Sequence, residues 1–242
     1  MVSDKKYERI PTGITGFDDI IGGGLRKNST ILIRGGTGVG KTIFSLQYIY
    51  EGASKYNQSG MFISFSESEE AIYETGEQFG WNIEALEKKG KFSFVRYSPY
   101  EIEKILAEGG GTIKDTLDSI KAERIVIDSL TAYSLLFKTP YEMTDGVVQL
   151  FDMLKSWNCT TMVTDEQDIS FGDVQTGRLG FFTDALIHFY SFRKDLGRYR
   201  ALEVIKMRHT NHSEKIHPFK IDTNGISIYS ELGMFTKPDD KK

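Results

Sequence analysis

Cysteine occurs once in the 242 residues, at Cys159, so neither an internal disulfide nor a cysteine-based metal site is open to this chain. Cys159 begins an apolar segment, where a lone thiol is expected to be buried and inert. No apolar run approaches the roughly 18 residues of a membrane span. Met1 to Lys6 (MVSDKK) also lacks the apolar stretch of a signal peptide, so a cytoplasmic protein with no membrane partner is expected. There is no internal repeat, no linker-like stretch and no cluster of His and Cys to hold a metal. Excess charge is missing as well. Thirty Lys and Arg against 34 Asp and Glu leave a net charge of −4, which offers no general attraction to nucleic acid but leaves room for a local basic patch.

What is present is a soluble globular composition, 39% hydrophobic and 26% charged, in a chain long for one domain but normal for a decorated α/β sheet. One domain over residues 1–236 is expected, with Lys237 to Lys242 as a solvated, disordered tail. Short apolar runs alternate with helical periodicity. Strands are expected at Ile31 to Ile33, Gly60 to Ser66, Phe92 to Arg96, Arg124 to Asp128 and Thr160 to Thr164. Helices are expected at Ile43 to Tyr50, from Glu70 to near Gly80, at Asn82 to Lys89, over most of Glu101 to Ala122 with Gly109 to Gly111 interrupting, and at Tyr141 to Trp157. That order predicts a mostly parallel central sheet with helices on both faces. Beyond Gly180, β segments at Ala185 to Arg193, Tyr199 to Arg208, Ile216 to Ile221 and Ile226 to Tyr229 are separated by turn residues, which predicts a C-terminal antiparallel extension.

Residues Gly35 to Thr42 (GGTGVGKT) match the phosphate-loop pattern G-x-x-x-x-G-K-[ST] at every fixed position, between an expected strand and an expected helix. Such glycines let successive N–H groups turn inward onto a phosphate, at the partly positive start of a helix. Nucleotide contacts are therefore assigned to Gly36, Thr37, Gly38, Val39, Gly40, Lys41, Thr42 and Ile43, with Lys41 reaching the β- and γ-phosphates and Thr42 placing its hydroxyl on Mg²⁺. A second metal-side carboxylate is supplied by Asp128, at the end of the apolar strand Ile125 to Ile127. Hydrolysis also needs a group that orients or deprotonates water, on a strand end next to the phosphate loop. Glu67 fits that role, directly after Met61 to Phe65, whereas Glu69 and Glu70 fall in the first turn of a helix and serve its dipole. Lys206 and Arg208, two apart on a strand, project to one face, where a solvated pair of cations guarding an edge strand is the plain alternative to chemistry. His188 reads as a core or edge residue, and His217 before Pro218 carries no chemical argument.

Several ordered motifs then point one way. They are Pro11 to Asp19 (PTGITGFDD) leading into Gly22 to Leu25 (GGGL), the phosphate loop, Phe65 to Glu67, Asp128 to Thr131 (DSLT), Glu166 after the strand at Cys159 to Thr164, and Lys206 to His212 (KMRHTNH), similar to the pattern K-x-R-x-x-x-H. Together they resemble the KaiC-like branch of the RecA-type ATPases, in its single-domain archaeal form, over nearly the whole chain. The resemblance implies a RecA-like P-loop NTPase core that takes ATP and Mg²⁺. It implies a homo-oligomeric, hexameric ring with ATP at subunit interfaces, where Lys206, Arg208 and His212 contact the nucleotide of a neighbouring subunit. It also implies Glu67 as the catalytic base. Family members carry two adjacent acids there and this chain has Ser66-Glu67, so slow hydrolysis is expected. The function so implied is a nucleotide-dependent switch acting on its own conformation or on protein partners. The alternative is a DNA-binding recombination mediator of the RadA-paralogue type. Its DNA-facing stretches would be Leu135 to Asp145 and Asp168 to Gly180, which offer only Lys138 and Arg178 as cations. A small-molecule phosphotransferase is a further rival, without the Arg-rich lid it would need.

Overall fold

The apolar runs form the strands of the central sheet, and the computed structural model describes residues 7–169, 177–194 and 196–233. The chain opens with β1 (Arg9–Ile10), the one-turn helix α1 (Phe17–Ile20) and β2 (Leu25–Arg26), β1 and β2 making a small antiparallel ribbon. Strand β3 (Thr30–Gly35) leads through the glycine loop into α2 (Lys41–Lys55). There follow β4 (Gly60–Ser64), α3 (Glu69–Gln78), α4 (Ile83–Lys88), β5 (Phe92–Arg96), α5 (Pro99–Ala107) and α6 (Gly111–Ile120). Next come β6 (Arg124–Asp128), α7 (Leu130–Ser134), α8 (Pro140–Ser156) and β7 (Thr160–Glu166). The last elements are α9 (Gly177–Gly180), β8 (Ala185–Lys194), β9 (Gly197–Met207), β10 (His217–Asp222) and β11 (Gly225–Ile228). The expected tail at Lys237 to Lys242 lies outside the described residues.

Nine strands share one sheet in the order β11-β10-β9-β8-β3-β7-β6-β4-β5. The strands from β8 to β5 pair in parallel, and β9, β10 and β11 add antiparallel strands on the β8 side. The antiparallel extension thus begins one strand later than expected, because β8 returns by a crossover to lie parallel to β3 before turning back as β9. Both sheet faces are buried, which is why the strands read as continuous apolar runs. Ile31, Ile33, Phe62 and Val126 face the core under α2, α3 and α4. Leu32, Met61, Ile63, Ile125 and Ile127 face the core under α6, α7 and α8.

Local chemistry sets the helix ends. Ser68 and Asn82 cap α3 and α4 by accepting from Ala71 N and Ala85 N, and Thr139 with Glu142 forms a reciprocal capping box at the start of α8. Gly109 and Gly110, at φ 80° and 75°, divide the expected long helix into α5 and α6. Arg124 is wholly buried and, among the described residues, has no carboxylate partner, its guanidinium donating to the carbonyls of Pro11, Thr12 and Tyr48 and to Gln58 Oε1. It also stacks over the Tyr48 ring at 4.4 Å. The lead-in to β3 is fixed in this way to α2 and β6. Cys159 is buried, and burial pushes its thiol up to about 11. Among the described residues no helix is long and apolar enough to cross a membrane.

Candidate functional site

Gly38 and Gly40 take φ values of 69° and 114°, left-handed conformations that favour glycine, and they curl the loop between β3 and α2. Gly40 caps α2 without any side-chain hydrogen bond, so the free N–H groups of the first turn stay available to an anion. Lys41 is nearly buried, and its Nζ donates to the carbonyls of Gly35 at 2.7 Å and Gly36 at 3.0 Å. Burial holds its ammonium below the usual lysine range, against the pull of Glu166, Asp128, Asp165 and Asp168. Val39 is packed in the core and Ile43 lies partly buried against it, which leaves their main chains to face the loop.

Thr42 and Asp128 meet directly, Thr42 Oγ1 donating to Asp128 Oδ2 at 2.6 Å. The other carboxylate oxygen accepts from Thr164 on β7, so Asp128 is fixed from both sides. Strand β6 reaches this position because only β7 separates it from β3. A hydroxyl and a carboxylate this close, beside a phosphate-type cradle, are the oxygen donors a hard cation such as Mg²⁺ takes, and the residues present fit it.

Glu67 is not on the strand next to the phosphate loop, contrary to the expectation from sequence. The neighbour of β3 is β7, and β4 lies beyond both β7 and β6. Glu67 is exposed just past β4, with Ser64 Oγ accepting from its N–H at 2.8 Å and from that of Ser66 at 3.3 Å. The carboxylate brought to the loop is Glu166, at the end of β7, which accepts from the Thr37 hydroxyl. Its N–H donates to Thr131 Oγ1 at 2.6 Å, while Asp165 beside it pairs with Arg34 at 2.8 Å. The sequence marks Glu166 only as one of the motif residues, with no role given, whereas Arg198 is in no motif at all. Its Nη2 donates to Gly38 O at 3.1 Å and its Nε to Ser191 Oγ at 2.7 Å. Nothing local marks Arg198, which meets the loop across 160 positions of sequence.

Lys206 and Arg208 do converge, on the turn before β8. Lys206 Nζ donates to the carbonyls of Gly180 and Thr183 at 2.7 and 2.6 Å, and Arg208 Nη2 to Phe181 O at 2.9 Å. Burial, and then Arg208 itself, keep Lys206 below the usual lysine range. A register shift opposite Leu186 and Ile187 leaves Ile205 unpaired just before Lys206, a bulge that turns the strand end. Lys206 pairs with Leu186, level with Leu32, and Arg208 N bonds Asp184, whose N–H bonds Thr30. Along β3, Lys206 is therefore about 10 Å and Arg208 about 16 Å of strand from the phosphate loop at its end. His212 is half-buried with Nδ1 at 3.0 Å from Ser213 O, beside a cleft of about 400 Å³ that also meets Asp19 and Asn211. His188 is buried on β8, and His217 is buried with Nε2 at 2.7 Å from Ser213 Oγ.

Of the two stretches proposed to face DNA, Leu135 to Asp145 is largely the start of α8, and its one cation lies among Glu142 and Asp145. In the second stretch, residues 170–176 and the side chain of Arg178 lie outside the described residues.

Comparison with known proteins bears on the same loop-and-sheet arrangement. The profile of the family described as "ATPase: KaiC" matches residues 10–233. The circadian clock oscillator protein KaiC of Thermostichus vulcanus is 32% identical over 238 residues, 94% of this chain and 45% of that protein. KaiC of Nostoc sp. PCC 7120 is 31% identical with the same coverage. The chain thus spans about half the length of the curated relatives it matches. A crystal structure of a KaiC-like protein from the archaeon Pyrococcus horikoshii OT3 superposes with a TM-score of 0.81 at 32% identity, covering 92% of this chain and 99% of that one. The chain belongs to the KaiC family of RecA-type, nucleotide-binding ATPases.

Proposed function

We propose that this chain binds Mg·ATP at Gly36 to Ile43, hydrolyses it slowly, and works in the cytoplasm as one subunit of a ring whose nucleotide state regulates itself or protein partners. The observation that carries the reading is the Thr42–Asp128 pair at 2.6 Å beside the Lys41 loop. Mg²⁺, held there, would neutralise charge on the transferring phosphoryl group. The loop N–H groups orient the phosphates, and Lys41 exchanges the carbonyls of Gly35 and Gly36 for phosphate oxygens. Glu67 positions or deprotonates the attacking water, and Ser66 in place of a second acid is the reason for slow turnover. Lys206 and Arg208 are engaged on the Gly180 to Thr183 turn and not on their own loop, which supports their service, with His212, to the ATP of a neighbouring subunit in a hexamer.

Lys41→Ala tests the site, because it removes a phosphate-facing cation and little buried apolar area. The variant is expected to stay folded and to lose ATP binding in equilibrium titration with Mg²⁺ present. Unchanged affinity would place the nucleotide elsewhere.

A further inference from the structure

Helix α7 begins two residues after Asp128 and, with α5 and the first turns of α8, borders a cleft of about 500 Å³ on the outer side of that layer. Its floor is aromatic and aliphatic. Tyr133 is buried, Phe137 stands edge-on to it at 5.2 Å and 83°, and Leu136 is half-buried alongside. Gly146 forms one wall, where any methyl would overlap the Phe137 ring, so the floor depends on a bare backbone there. At the lip, Tyr141 is 80% exposed, a large aromatic surface open to solvent beside the apolar floor.

The rim is acidic. Glu103, Glu142 and Asp145 line the opening and Lys138 is the one cation among its lining residues. Glu142 is fixed by accepting from the N–H groups of Lys138 and Thr139, and Asp145 by accepting from Gln149. These carboxylates are thereby held in place around an apolar floor, and a polyanion would be repelled by them.

We propose that this cleft is a docking groove for a cationic amphipathic segment of a protein partner, its apolar side chains on Tyr133, Leu136 and Phe137 and its Lys or Arg residues on the three rim carboxylates. Apolar anchors in a groove give such complexes affinity, and complementary charge gives selectivity and speed of encounter. The groove uses none of the phosphate-loop residues, so the inference goes beyond the ATPase reading and stands independently of it.

The test is fluorescence anisotropy on the full chain with three labelled probes: an amphipathic leucine–lysine peptide, the same peptide with glutamate for lysine, and oligothymidylate. The lysine peptide is expected to bind in a salt-sensitive manner, and Glu103→Lys with Asp145→Lys to weaken it roughly tenfold or more while strengthening the glutamate peptide. Tyr141→Ser, at a lining site too exposed to affect folding, should also weaken the lysine peptide. Lys41→Ala should leave it unchanged, which separates failure of this idea from failure of the ATP site. Equal binding of both peptides, insensitivity to both sets of substitutions, or displacement of the peptide by oligothymidylate would each overturn the proposal.

Discussion

Glu67 and Glu69 are two positions apart and have different surroundings. Glu69 and Glu70 occupy the first turn of α3 behind the Ser68 cap, and hydrogen bonds to its own N–H and to Ser68 hold the Glu70 carboxyl below the usual range. They serve the helix end. The N–H of Glu67 is engaged by Ser64 beneath it, and Glu67 lies on the edge shared with Asp128, since Ser64 pairs with Asp128 in register. Glu67→Gln is therefore expected to retain Mg·ATP and lower phosphate release by roughly 10²-fold or more. Glu69→Gln should change it little, and a larger loss from Glu69 in steady-state assays would reverse the assignment. The phosphate loop was legible in sequence because its chemistry is packed into eight adjacent residues, and Asp128 because it ends an apolar strand. Glu166 was legible as a motif residue but its contact with Thr37 was not, nor was Arg198 at Gly38, since those contacts join residues 129 and 160 positions apart with no shared pattern.

Strands β3 to β7 and helices α2 to α8 fall within a few residues of where apolar periodicity puts them, apart from α7. That helix, with β1, β2 and α1, is only two to five residues long, too short to show a period. Nor does periodicity name a strand's partner, so the parallel seating of β8 beside β3 emerged only from the structure. Helix α2 illustrates how a long-range contact reverses a local preference. Alanine is favoured over glycine inside a helix by about 1 kcal/mol, yet a methyl on Gly52 would overlap the Arg124 guanidinium. Arg124 is held by several acceptors and cannot swing away. Gly52→Ala is thus expected to destabilise the fold by about 1–3 kcal/mol through overpacking. Urea unfolding measures this, and a midpoint equal to or above that of the parent chain would contradict it.

Strand β9 carries Arg198 at the phosphate end of the sheet and Lys206 at the opposite end, so one subunit offers its loop on one side and its paired cations on another. In the proposed ring, Arg208→Ala is expected to bind ATP and hydrolyse it poorly. Mixing it with Glu67→Gln chains should recover activity, because some interfaces then join an intact Glu67 to a neighbour's intact Arg208. An arginine finger accounts for on the order of 10³-fold or more in rate, so even a few such interfaces are measurable. No recovery, once native mass spectrometry shows mixed rings, would leave Arg208 as a support for the Phe181 turn. The pairing of β3 also has a consequence during synthesis. The strand that launches the phosphate loop has both its sheet neighbours far downstream, with Arg34 meeting Asp165 across 131 residues and Thr30 meeting Asp184 across 154. At translation rates of roughly 5–20 residues per second, the loop waits on the order of ten seconds outside the ribosome before its second flanking strand exists. For that interval Ile31, Leu32 and Ile33 are an apolar run without its sheet partners on a nascent chain, the kind of exposed surface through which a partly made α/β domain aggregates.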